Sequence, residues 1–140
     1  IMDKMFKIWD KYEIDAIVIE EYTPYGGKFT GASVVPSLIY LIDYEWYRRT
    51  ETEIVRIPLT LWKQTVCRDA SASKADILQS VIPMVSSVFP GTNEKIQKQF
   101  SAKETQHERD GMQDCYDSLG VLLYTLAMAD IATKSDCELY

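Results

Sequence analysis

Apolar and polar positions alternate with two periods along this chain, and the switches between them lay out its elements. Met2, Met5, Phe6, Trp9 and Tyr12 recur at spacings of three and four, with Asp3, Lys4, Lys7, Asp10 and Lys11 between them. That is an amphipathic helix whose stripe packs into a core. Ile17-Val18-Ile19 then forms a short β-branched run ending in Glu20 and Glu21. Such a run predicts a strand buried on both faces, as in a parallel sheet. A carboxylate directly after it stands at the strand's C-terminal edge, where open α/β sheets place their ligand crevices. Val34, Val35, Leu38, Ile39, Leu41, Ile42 and Trp46 predict a largely buried helix over 33–49, with Pro36 in its first turn and Tyr40, Tyr44 and Tyr47 outward. Residues 53–57 predict a second strand, stopped by Pro58.

The second half reads as helices. A short helical turn follows Pro58, and Ser71-Ala72-Ser73 offers capping hydroxyls to a helix carried by Ile77, Leu78, Val81, Ile82, Val85 and Val88, with a kink at Pro83. Residues 89–105 are polar, contain Pro90-Gly91 and predict a surface excursion whose Lys95, Lys98 and Lys103 are solvated or form a patch for a nucleic-acid backbone. Leu119, Leu122, Leu123, Leu126 and Met128 carry a last long helix from His107 to about Ile131. The pattern as a whole is α/β.

The loop over 22–31 interleaves Tyr22, Tyr25, Lys28 and Phe29 with three glycines. Its composition suits two readings: rings that stack on bases while the lysine meets a phosphate, or rings that fold back on the core. On the last helix, Asp110, Asp114 and Asp117 are spaced by four and three and share a face. Unpaired acids so placed repel by about 0.2–0.5 kcal/mol per pair. The helix dipole rewards an acid in the first turn. Asp114 and Asp117 lie beyond that turn, and a metal site accounts for them better. Asp110 is either an N-cap or a supplementary acid.

Composition narrows the partners. In 140 residues the formal charge is −6, which argues against a generally basic nucleic-acid binder but not against a metal nuclease with a few local lysines. No apolar run reaches the roughly 20 residues of a membrane span. Cys67, Cys115 and Cys137 form no zinc pattern and suit free thiols in a reducing, cytoplasmic compartment.

Four segments, in order, resemble the RuvC-type Holliday-junction resolvases of the ribonuclease-H-like superfamily. Asp15-Ala16-Ile17-Val18-Ile19-Glu20 resembles the central strand ending in the family's second catalytic acid; Trp62-Lys63-Gln64-Thr65-Val66 its Val-Lys-Gln-Thr-Val stretch; Ser71-Ala72-Ser73-Lys74 its Ser-Ala-x-Lys helix start; and Asp114-Cys115-Tyr116-Asp117-Ser118-Leu119 its Asp-Ala-x-Asp-Ala-Leu signature. The resemblance implies a single domain with a mixed sheet flanked by helices, and Mg²⁺ (or Mn²⁺) held by Glu20, Asp114 and Asp117. It also implies Lys74 as a catalytic and DNA-contacting lysine, Lys63 as a DNA-contacting or catalytic one, and Tyr22, Tyr25, Lys28 and Phe29 on the DNA. The implied activity is resolution of branched DNA by phosphodiester hydrolysis in a homodimer. The family's first acid, in an Asp-x-Gly motif on a preceding β-meander, has no counterpart after Ile1, so the expectation is an N-terminally incomplete domain. A module of the same fold that binds or scaffolds without cutting is the alternative.

Overall fold

The computed structural model describes residues 2–21, 34–100 and 106–137. The chain divides into two compact units, Ile1–Arg56 and Ile57–Tyr140.

In the first unit, α1 (Met2–Lys11) and α2 (Val34–Thr50) accompany β1 (Val18–Glu20) and β2 (Val55–Ile57), whose last residue is counted with the second unit. The α1 stripe packs only in part: Met2, Met5, Phe6 and Trp9 are half-buried, none is enclosed, and Tyr12 is exposed. Trp9 meets Phe6 edge-on at 5.3 Å and Trp46 of α2 at 5.6 Å. Arg49 closes this cluster, its guanidinium 4.4 Å from the Phe6 ring centre and its Nη1 3.1 Å from Asp10 Oδ1. The strands form a two-stranded parallel sheet, entered by a Val55 N–H to Ile17 carbonyl bond of 2.9 Å. Asp43 ties α2 to β2, accepting from Arg56 Nη2 at 2.7 Å and from the Ile54 N–H at 3.5 Å.

The second unit is helical: α3 (Leu59–Val66), α4 (Lys74–Val88), α5 (Thr92–Phe100) and α6 (Gln106–Cys137). α6 is its spine, packing against the other three. Trp62, fully buried, lies so close to α6 that a Cβ built on Gly120 would stand 2.6 Å from its ring. No side chain larger than hydrogen fits there. Ile77, Val81 and Val85 of α4 and Tyr116, Val121 and Leu123 of α6 complete the core.

Several expectations need correction. The ribonuclease-H-like mixed sheet flanked by helices is not what the chain forms: the described residues are mostly helical, with one two-stranded sheet. A β-branched run can nominate a strand, but sheet size depends on partners distant in sequence, and here only three residues of each strand pair. For the same reason β1 is not buried on both faces; Val18 and Ile19 are half-buried and Glu20 is exposed. α2 is not largely buried either, since only Trp46 is enclosed while Val34, Val35 and Leu41 are exposed. Residues 92–100 form α5 rather than an irregular excursion. Its anchor is polar: Asn93 is buried, and its Nδ2 donates to the Ile82 carbonyl at 2.9 Å. No helix among the described residues is long and apolar enough to cross a membrane.

Candidate functional site

The segment joining α3 to α4 fixes the Lys63 side chain and sets where Lys74 enters the next helix. Pro58 stands at the N-cap of α3, where its fixed φ suits a helix entry, and Lys63 lies in the last turn. Its Nζ donates to the carbonyl of Ala72, itself buried, at 3.0 Å. Asp69 accepts from both the backbone N–H and the hydroxyl of Ser71, at 2.8 and 2.7 Å. Ser73 then caps α4 in a reciprocal box with Asp76, so Lys74 is the first helical residue. The hydrogen bonds from Ser71 and Ser73 hold the Asp69 and Asp76 carboxyls below the usual carboxylate range.

α6 supplies the acids. Asp117 is half-buried, and Gln113, one turn earlier and buried, donates to its Oδ1 at 2.8 Å. Burial pushes the Asp117 carboxyl above the ordinary carboxylate range. The Gln113 hydrogen bond works against this, the charge of Asp114 adds to it, and Lys63 and Lys74 draw it back down. Both lysines therefore lie within electrostatic reach of Asp117. Asp114 is exposed beside it. Asp110, on the same face, stands 4.0 Å from Lys74 Nζ, with both side chains largely in solvent. An ion pair so exposed contributes little stability.

The second unit thus brings together four residues that the sequence nominated from three separate segments: Lys63, Lys74, Asp114 and Asp117. Glu20 belongs to the other unit, at the exposed end of β1. Tyr22, Tyr25, Lys28 and Phe29 lie outside the described residues. Gln113 escaped the sequence reading, although its spacing of four from Asp117 puts the two on one helical face.

Chemically, the arrangement offers hard oxygen donors from two neighbouring carboxylates, with two ammonium groups within electrostatic reach of one of them. Among the described residues, no group of three or more His, Cys, Asp or Glu is disposed to hold a metal ion. Two carboxylates nevertheless fit Mg²⁺, which keeps several waters and is commonly bound through one or two carboxylates together with substrate phosphates. No family model, curated protein or solved structure matches the chain.

Proposed function

We propose that the chain is a metal-dependent endodeoxyribonuclease acting on branched DNA, with its hydrolytic site at the α3–α4–α6 junction. The observation that carries the reading is that Asp117, half-buried and hydrogen-bonded by Gln113 at 2.8 Å, lies beside Asp114 within electrostatic reach of Lys63 and Lys74. A half-buried carboxylate whose pKa is raised costs stability, and strained placements of this kind concentrate at functional sites. A divalent ion bound there would activate water and stabilise the leaving oxygen of a phosphodiester. Gln113, donating to Asp117 Oδ1, would hold that carboxylate for such an ion, and Asp114 would supply the second carboxylate. Lys63, held by the Ala72 carbonyl, and Lys74, the first residue of α4 after the Ser73–Asp76 box, would neutralise charge developing on the phosphate.

The motif resemblance to RuvC-type resolvases supports branched DNA as the substrate class; the sheet architecture of that superfamily is no part of the proposal. Glu20 is proposed as a functional acid of the first unit in its own right, and Tyr22, Tyr25, Lys28 and Phe29 as DNA-contacting residues. A homodimer would supply the two sites that symmetric cutting requires. The free thiols Cys67 and Cys115 support a reducing, cytoplasmic setting.

The test is incubation of the protein with end-labelled four-way and linear duplex DNA, in Mg²⁺, in Mn²⁺ and in chelator. Nicking of the junction that needs the metal is the expected result. Binding without cutting under either metal would replace the nuclease with a scaffold. Equal affinity for junction and linear duplex would remove branched DNA as the target.

A further inference from the structure

We propose that the outer face of α2 binds arginine side chains of a partner polypeptide. Tyr40, Tyr44 and Tyr47 share that face at spacings of four and three, and each ring is more than half exposed. With Asp43 and Glu53 they line a cavity of about 300 Å³. The site lies in the first unit and does not depend on the nuclease reading.

Two observations set the chemistry of the occupant. The first is a filled example on the same helix. Arg49 lies against the faces of Phe6 and Trp9, at 4.4 and 5.6 Å, while Asp10 pairs with it at 3.1 Å. The tyrosine cavity offers the same ingredients, ring faces beside carboxylates, and among the described residues no lysine or arginine stands over those three rings. The second is charge. Arg56 already pairs with Asp43, and Arg48 pairs with Glu45, near enough to the Tyr44 hydroxyl to feel it. Glu53 is exposed and makes no ion pair among the described residues. The uncompensated charge on the wall is therefore negative. A nucleic acid stacking on the tyrosines would press its phosphates against Glu53. A guanidinium gains from both, since its plane stacks on a phenol while its fork pairs with a carboxylate.

The experiment is an NMR titration of the protein, labelled with ¹³C in its tyrosine rings, against acetyl-Arg-Gly-Arg-amide. The same peptide with citrulline or with lysine in place of arginine serves as the comparison. The expected result is saturable shifts confined to Tyr40, Tyr44 and Tyr47, absent with the neutral citrulline peptide and weaker with lysine. Tyr44→Ala should weaken binding by about threefold, the scale of an exposed cation–π contact. Tyr44→Phe keeps the ring and should retain binding, and Glu53→Gln should weaken it. Equal binding of the citrulline peptide, or no saturable shift on these rings, overturns the proposal. So does self-association abolished by Tyr44→Ala, which would make this face a contact between copies.

Discussion

Asp117 is the residue at which the proposed site and the stability of the fold pull in opposite directions. Burial raises its pKa in the folded chain, whereas the unfolded chain exposes it to water. Between the ordinary carboxylate range and the raised value, the folded state holds a proton that the unfolded state has released. Stability therefore falls as pH rises through that window. Asp69 and Asp76 act with the opposite sign. Their hydrogen bonds to Ser71 and Ser73 lower the folded pKa, so the stability they contribute is present above the ordinary range and is lost as pH falls through the folded value. Thermal melts between about pH 4 and pH 7 should show an Asp117→Asn chain gaining on the wild type as pH rises. Parallel melting curves for the two proteins across that range would show that Asp117 carries no such burden.

At the scale of elements, the second unit depends on how closely α3 can approach α6. Gly120 permits that approach, because any Cβ there would enter the Trp62 ring. Gly120→Ala sets two effects against each other: alanine gains about 1 kcal/mol of helix propensity, and overpacking a buried site costs about 1–3 kcal/mol. The ring is fully buried and cannot swing away into solvent, so the overpacking wins. A drop in Tm of several degrees is expected, and an unchanged Tm would mean the helices can separate at no cost.

The same scale shows what could be read from residue order. α1, α2, α4 and α6 were legible as helices from the spacing of their apolar residues, α3 only as a helical turn after Pro58, and the start of α4 from the capping hydroxyls of Ser71 and Ser73. α5 was not legible: Thr92-Asn93-Glu94-Lys95 carries no apolar stripe, follows Pro90-Gly91, and is anchored by a buried asparagine. Hydrophobicity cannot reveal such an anchor. β1 was legible as a strand while its surroundings were not, because pairing partners and sheet size are non-local. The α3–α4–α6 cluster was foreshadowed through motifs in separate segments, but the Gln113 bond that holds Asp117 emerges only when the α6 face is built.

Across the whole molecule, the two units carry unequal cores. In the first, only Trp46 and Ile54 are enclosed among the described residues; the second holds Trp62, Tyr116 and most of the buried aliphatic side chains. The proposed hydrolytic site sits in the better packed unit, where Lys63, Asp117 and Gln113 are held by a buried framework. The tyrosine cavity occupies the more open one. Catalysis demands donors fixed in place, whereas an exposed row of rings can adapt to a flexible peptide, so each activity is proposed on the scaffold that suits it.

The measurement that tests the central claim most directly is metal-dependent nicking of a labelled four-way junction by Asp117→Asn, read beside its melting temperature. The site account expects a folded protein with an unchanged or higher Tm at neutral pH, retained junction binding, and cutting slowed by roughly 100-fold or more, the scale of losing one electrostatic group in a hydrolytic site. Undiminished nicking by a folded Asp117→Asn protein would contradict it.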